Sequence, residues 1–144
     1  MPGYSFEDLE VYKAAREFRK KIFCVLKNLP AHEKYNLESQ MRRAATSVTN
    51  NIAEGHGRFH YQENIQFLRV ARGSLEEILD DLNICLDEQY FPEREISYLK
   101  GRPESSKLLV RIMSSVKMMV TNIKAKKGAF VPLHHHEAEQ IILV

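Results

Sequence analysis

Apolar residues recur along this chain at intervals of three and four, the spacing of one face of an α-helix rather than of a strand. The pattern predicts five helices: from near Ser5 to about Asn28, from between His32 and Tyr35 to Glu54, over about Tyr61–Asp87, over about Glu93–Lys100, and over about Glu104–Lys126. Short connections between helices are typical of antiparallel neighbours. We therefore expect an all-α, antiparallel up-down-up-down four-helix bundle over residues 1–127, with a tail over 128–144 that is flexible or docks on a neighbour.

Residues that start or stop helices mark several of these boundaries. Ser5 can cap the first helix, and Pro30 ends it because the residue before a proline avoids the helical region. Gly55 and Gly57 are expected to end the second helix, since glycine readily adopts the positive φ found at helix C-termini. Gly101 and Pro103 interrupt the final helical segment.

The apolar stripe of each long helix is predicted to form the core. The inward residues are Val11, Ala14, Ala15, Phe18, Ile22, Val25 and Leu26; then Leu37, Met41, Ala44, Ala45, Val48 and Ile52; then Ile65, Phe67, Leu68, Ala71, Leu75, Ile78, Leu79, Leu82 and Leu86; and finally Leu108, Leu109, Ile112, Met113, Val116, Met119, Val120 and Ile123.

A second apolar stripe on the first helix is formed by Leu9, Tyr12 and Phe23. Each large apolar side chain left in water forgoes about 1.5 to 3 kcal/mol of burial free energy. Either a loop or another subunit therefore covers this stripe, which is the predicted oligomer interface.

The second helix also carries a polar row, Gln40, Arg43, Ser47, Asn51 and Glu54. Exposed helix faces are usually rich in Lys and Glu, whereas Ser and Asn are poorer helix formers. The row predicts a half-buried polar seam in which Arg43 and Glu54 find partners on a neighbouring helix. The alternative is an ordinary exposed face.

Arg72 falls within the apolar stripe of the third helix and is assigned to the same seam. A buried arginine without a carboxylate would be costly, so we expect an ion pair with Glu76 or Glu54. Alternatively, the side chain extends along its aliphatic stem to solvent. Gly73 and Ser74, which follow it, would let another helix approach closely.

Composition is that of a single soluble domain: 144 residues, 44% hydrophobic, 28% charged, formal net charge +2. The charge is unevenly distributed, because residues 59–90 sum to −5 (two basic, seven acidic) and residues 91–127 to +6 (nine basic, three acidic). Either neighbouring helices complement each other, or the basic segment forms a surface for phosphate backbones.

Several kinds of chemistry have no supporting motif. The chain lacks an apolar signal segment and a membrane-spanning stretch, so we expect a cytoplasmic protein. Its two cysteines, Cys24 and Cys85, are too few for a disulfide framework and are expected to be free thiols. We expect no metal at His56 and His60 or at the His134–His136 run, no cofactor, no small-molecule substrate and no catalytic residues.

A resemblance to a known family covers roughly residues 6 to 90 and depends mainly on three blocks: FEDLEVYKAA, QMRRAATSVTNNIAEGHGR and FLRVARGSLEE. They resemble the four-helix-bundle proteins also called 23S ribosomal RNA intervening-sequence proteins, most specifically over 42–58 and 71–77. The resemblance implies a helical bundle, often a ring of five subunits, that has no catalytic residues. It also implies kinship with the accessory subunit of diversity-generating retroelements, which is a basic bundle that binds nucleic acid and a reverse transcriptase.

Together these observations favour a non-enzymatic homo-oligomeric module that binds RNA or DNA backbones through basic helix faces. A protein-interaction scaffold without nucleic-acid binding is the alternative. The candidate nucleic-acid-binding residues are Arg43, Arg58, Lys107, Arg111, Lys117 and Lys124.

Overall fold

The computed structural model of the protein describes residues 5–58, 60–101 and 104–126. Within those ranges the chain is all-helical, as predicted, and contains no strand. The five α-helices are α1 (Glu10–Leu26), α2 (Leu37–His56), α3 (Tyr61–Asp87), α4 (Glu93–Lys100) and α5 (Glu104–Lys126). Two short 3₁₀ helices, Phe6–Asp8 and Ala31–Glu33, precede α1 and α2. The predicted tail over 128–144 lies outside the described residues.

The amino end is capped as predicted, but the first helix is not continuous. Ser5 Oγ accepts a hydrogen bond from the Glu7 N–H at 3.3 Å, and Asp8 Oδ2 accepts one from the Ser5 N–H at 2.9 Å. This reciprocal capping box satisfies the free N–H groups of the 3₁₀ turn. Leu9 then adopts an extended conformation (φ −65°, ψ 127°), so α1 begins only at Glu10. It ends at Leu26, two residues before the predicted boundary.

The ends of α2 differ more from the prediction. The helix begins at Leu37, because Ala31–Glu33 form a separate 3₁₀ turn and Asn36 has non-helical dihedral angles. It continues through Gly55 to His56, and Gly57 follows with φ −73°. The expected positive φ at these glycines is therefore wrong. Gly55 instead allows close packing, since a Cβ there would lie 2.9 Å from Phe67 Cβ on α3.

The helices enclose a single apolar core. α1 packs against α2 and α5, α2 packs against α3, α3 packs against α5, and the short α4 packs against α3 and α5. The largest fully buried side chains come from all five helices: Phe18, Ile22, Leu26, Met41, Val48, Ile52, Leu75, Ile78, Leu82, Ile96, Leu108 and Ile112. Each contributes about 1.5 to 3 kcal/mol through burial. All except Ile96 belong to the stripes predicted from the sequence.

Side-chain contacts define the direction of α2 relative to α3. Gln40 contacts Asp81, while Ser47, seven residues later on α2, contacts Ser74, seven residues earlier on α3. The contacts therefore advance along α2 as they retreat along α3, and the two helices run antiparallel.

Candidate functional site

Three members of the predicted polar row are half-buried along α2. Gln40 Nε2 donates to Asp81 Oδ1 on α3 at 2.8 Å, and the hydroxyls of Ser47 and Ser74 lie 2.8 Å apart. Asn51 Nδ2 donates within α2 to the carbonyl oxygen of Ser47 at 2.7 Å and to its Oγ at 3.0 Å. Gln40 and Ser47 thus connect α2 to α3, whereas the side chain of Asn51 forms its hydrogen bonds within α2.

The other members of the row do not behave as expected. Arg43 Nη1 donates to Ser39 Oγ one turn earlier at 2.7 Å, and Glu54 forms an exposed ion pair with Arg58 one turn later. Both partners lie in or beside α2, so the expectation of partners on a neighbouring helix is wrong. Within the described ranges Arg72 forms no ion pair or hydrogen bond, and its side chain is half-exposed. The expected ion pair of Arg72 with Glu76 or Glu54 is therefore wrong, and the half-exposed side chain agrees with the alternative of a stem that extends to solvent.

Asp81 is a buried carboxylate that the sequence analysis did not single out. Its residue is only 2% exposed, Oδ1 accepts the hydrogen bond from Gln40, and Oδ2 is buried without a partner among the described residues. Burial, followed by repulsion from Glu77 and Asp80, raises its pKa to about 6. The group titrates at the α2–α3 interface rather than in solvent.

Glu33 forms a second polar cluster, where the α1–α2 connection meets the segment after α3. Its Oε1 accepts from the Tyr90 hydroxyl at 2.7 Å, and its Oε2 accepts from Asn36 Nδ2 at 2.9 Å and from the Leu37 N–H at 3.2 Å. These hydrogen bonds, led by that from Tyr90, lower the pKa of Glu33. The same contact raises the pKa of Tyr90 to about 12. Tyr90 Oη also lies 3.1 Å from His32 Nε2.

Basic residues are concentrated on two adjacent helices. α1 carries five basic and two acidic residues, net +3, and α5 carries five basic and one acidic residue, net +4. These helices pack against each other, and α3, with two basic and six acidic residues (net −4), contacts α5 but lies across the core from α1. The two helices with the largest net positive charge, α1 and α5, therefore pack side by side.

The structure divides the candidate nucleic-acid-binding residues into two groups. Lys107, Arg111 and Lys124 are exposed on α5 and Lys117 is half-buried there. Arg43 lies on α2, and Arg58 comes two residues after that helix ends. The helix α2 packs against α1 and α3. Arg111 Nη1 donates to the Glu10 carbonyl oxygen at 3.0 Å, which ties α5 to the start of α1.

Sequence reasoning missed the basic residues of α1. Lys13, Arg16 and Lys20 are exposed on the helix adjacent to α5. Two of them make surface ion pairs, Lys13 with Glu10 at 3.1 Å and Lys20 with Glu17 at 2.8 Å. Their spacing along the first helix was the available signal, but only the fold places that helix beside α5.

The predicted oligomer-interface stripe is partly covered within its own chain. Leu9, Tyr12 and Phe23 are half-buried and pack against the core. The Phe6 ring meets Tyr12 edge-on at 4.9 Å, and the Arg42 guanidinium lies 4.9 Å from the centre of the Phe23 ring. The turn before α1 and the Arg42 side chain of α2 therefore cover part of this stripe.

An open groove runs along the outer side of α2, beside Phe23 of α1. Its volume is about 510 Å³, and six α2 residues line it in two rows, Arg42, Thr46 and Asn50, and Arg43, Ser47 and Asn51. Residues spaced four apart lie above one another on a helix, so each row spans roughly 12 Å. The groove has guanidinium groups at one end, hydroxyl groups in the middle and amides at the other end.

The described residues offer no grouping of three or more His, Cys, Asp or Glu side chains suited to a metal ion. His56 ends α2 and His60 precedes α3, so the two are not on one helix. None of the described helices has both the length and the apolar character of a membrane span.

Comparison with known proteins identifies the family. The family model for the 23S rRNA-intervening sequence protein matches residues 7–111. A crystal structure from Bacteroides thetaiotaomicron, described as a protein with unknown function from the S23 ribosomal protein family, is similar in fold with a TM-score of 0.67. It is 21% identical, and the similarity covers 74% of this chain and 95% of that one. No match is found among curated proteins. Since the family model spans well over half of the chain, the protein belongs to the 23S rRNA-intervening sequence protein family.

Proposed function

We propose that the protein is a non-enzymatic, homo-oligomeric helical module that binds the phosphate backbone of RNA or DNA. In this proposal α1, α2, α3 and α5 form an antiparallel up-down-up-down bundle in the cytoplasm. The observation that supports binding most directly is the packing of the two net-basic helices, α1 and α5, against each other.

A shared basic face suits a phosphate backbone because its cations are spread along two helices. Exposed Lys and Arg side chains on such a face release counterions when they neutralise phosphates, and this supplies affinity without base recognition. Acidic α3 lies across the core from α1, so nucleic acid would meet the α1–α5 side rather than the whole surface evenly.

Salt dependence tests this proposal. If four phosphates are neutralised, affinity for duplex RNA or DNA should fall by about 100-fold between 50 and 200 mM salt. Replacing Arg16 and Lys107 by glutamine should make the logarithmic salt slope shallower by about two. Replacing Arg69 and Arg94, which are exposed on α3 and α4, removes the same charge and should leave the slope nearly unchanged. Absence of binding at low salt, or equal effects of the two double variants, would refute the α1–α5 assignment.

Self-association is the second part of the proposal. The family resemblance implies a ring of five, and the exposed apolar side chains Val110 and Met118 on α5, each 61% exposed, are candidates for burial between copies. A ring would multiply weak phosphate contacts through avidity. Light scattering after size exclusion should give a mass several times that of the 16.8 kDa chain. A monomer at micromolar concentration would refute this part.

A protein-interaction scaffold without nucleic-acid binding is the competing function. The same apolar side chains favour it, because they suit a different protein as well as a second copy. Oligomers that bind neither duplex nor single-stranded probes at low salt would support the scaffold and contradict nucleic-acid binding.

A further inference from the structure

The open groove on α2 has donor groups that the fold leaves unused. Arg42 Nε donates to Glu38 at 2.9 Å and Arg43 Nη1 donates to Ser39 at 2.7 Å, so each guanidinium retains further N–H donors. Within the described residues the side chains of Thr46 and Asn50 form no hydrogen bond. The groove therefore combines positive charge with hydroxyl and amide groups that have no protein partner among the described residues.

Both guanidinium groups are also held in position. Arg42 is fixed by its ion pair with Glu38 and by the Phe23 ring below it, while Ser39 holds Arg43. A guanidinium stacked on one aromatic ring has a second flat face on which a nucleic-acid base can stack. Because these side chains are already ordered, a ligand loses less conformational freedom when it binds them.

We propose that this groove binds an unpaired nucleotide segment, with a phosphate at Arg43, a base stacked on Arg42, and a base edge or sugar hydroxyl at Asn50. The proposal rests on the proposed function and adds a preference for single strands to it. An amide side chain can donate and accept at once, which suits base edges. In a duplex the bases are stacked on each other, so the Arg42 face would be unused.

The groove shares Phe23 with α1, but its other lining residues all belong to α2 and none belongs to α5. The helix α2 packs against α1 and α3, and two of the lining residues, Ser47 and Asn51, are joined by a hydrogen bond. The two surfaces can therefore be tested independently. Loss of the groove should affect single strands, whereas loss of the α1–α5 cations should affect both forms of nucleic acid.

The test compares a fluorescent 12-nucleotide RNA strand with the duplex it forms with its complement, using anisotropy at low salt. The double variant Arg43→Gln, Asn50→Ala changes two exposed residues and leaves the core intact. Its affinity for the single strand should fall by about 10-fold or more, because a charge-assisted and a neutral hydrogen bond are lost. Its affinity for the duplex should stay within about threefold of that of Gln66→Ala, Arg69→Gln, a variant that loses the same charge from α3.

The matched control is Gln66→Ala, Arg69→Gln, which removes one amide and one charge from exposed positions of α3. A groove variant that loses affinity for neither probe would overturn the groove while leaving duplex binding by α1 and α5 in place. A variant that loses affinity equally for both probes would show that Arg43 and Asn50 contact either form of nucleic acid, and would overturn the preference for single strands. A wild-type protein that binds neither probe would overturn both proposals. Displacement of the labelled strand by poly-glutamate as readily as by unlabelled strand would also overturn it, since it would indicate an acidic peptide as the ligand.

Discussion

Two glycines lie within helices but in opposite surroundings. At Gly55 on α2 an added Cβ would lie 2.7 Å from Asn64 Oδ1 and 2.9 Å from Phe67 Cβ. At Gly73 on α3 an added Cβ would meet nothing within 4 Å. The same Gly→Ala substitution is therefore expected to change the free energy of unfolding in opposite directions at the two positions.

The expected magnitudes follow from two competing effects. Alanine in an exposed helix interior is more stable than glycine by about 1 kcal/mol, which is the expected gain at Gly73. At Gly55 the same gain is offset by overpacking of about 1 to 3 kcal/mol, because Phe67 Cβ is attached directly to the α3 backbone and cannot rotate away. A net loss of about 1 kcal/mol follows, so the two variants should differ by about 2 kcal/mol.

Urea unfolding followed by circular dichroism, at matched protein concentration, measures both variants against the wild type. In thermal unfolding, Gly73→Ala should raise the midpoint by roughly 3 to 4 °C and Gly55→Ala should lower it by a similar amount. If Gly55→Ala stabilises the protein as much as Gly73→Ala, α2 and α3 do not approach as closely as described and this reasoning is refuted.

Three further substitutions test the buried polar groups and the core. Because burial raises the pKa of Asp81 from 3.8 to about 6, the contribution of Asp81 to stability should decline as pH rises between those values, by at most about 3 kcal/mol. Asp81→Asn should lack this decline in urea unfolding at about pH 4.5 and 7.5; a constant difference from the wild type would contradict it. Tyr90→Phe removes the main hydrogen bond that lowers the Glu33 pKa. The stability contributed by Glu33 is fully present above its ordinary pKa of 4.5 and is lost as pH falls through the lowered pKa. Tyr90→Phe should therefore be less stable at neutral pH and should lose less stability on acidification in the same assay. An acid transition unchanged from that of the wild type would contradict the contact. Leu75→Ala, at a fully buried position, should cost about 3 to 5 kcal/mol in urea unfolding, and a cost below 1 kcal/mol would be inconsistent with the core.

Local patterns in the sequence were sufficient to predict the bounds of three of the five described helices. The boundaries of α3, α4 and α5 agree with the prediction, because their apolar stripes are regular and Pro92 and Pro103 mark the breaks. The start of α2 was missed because it depends on Glu33, whose partner Tyr90 lies 57 residues away. No sequence window contains both residues.

The errors at the site also arise from contacts between helices, which local sequence patterns do not reveal. The sequence predicts a helix stop at Gly55, whereas in the structure this glycine leaves room for Asn64 and Phe67 of α3. Asp81 resembles any acidic residue on a negatively charged helix, and only the position of Gln40 across the interface distinguishes it. The groove was not predicted as a site, because the sequence does not show that Phe23 on α1 lies beside Arg42 on α2.

The two cysteines differ sharply in accessibility. Cys24 is exposed on α1, whereas Cys85 is fully buried in α3, where burial raises its pKa to about 11. Thiolate is the form that alkylating reagents attack, so the native protein should accept a maleimide dye at Cys24 alone. The rate at which Cys85 is modified would then measure how often the helices open, without any engineered probe.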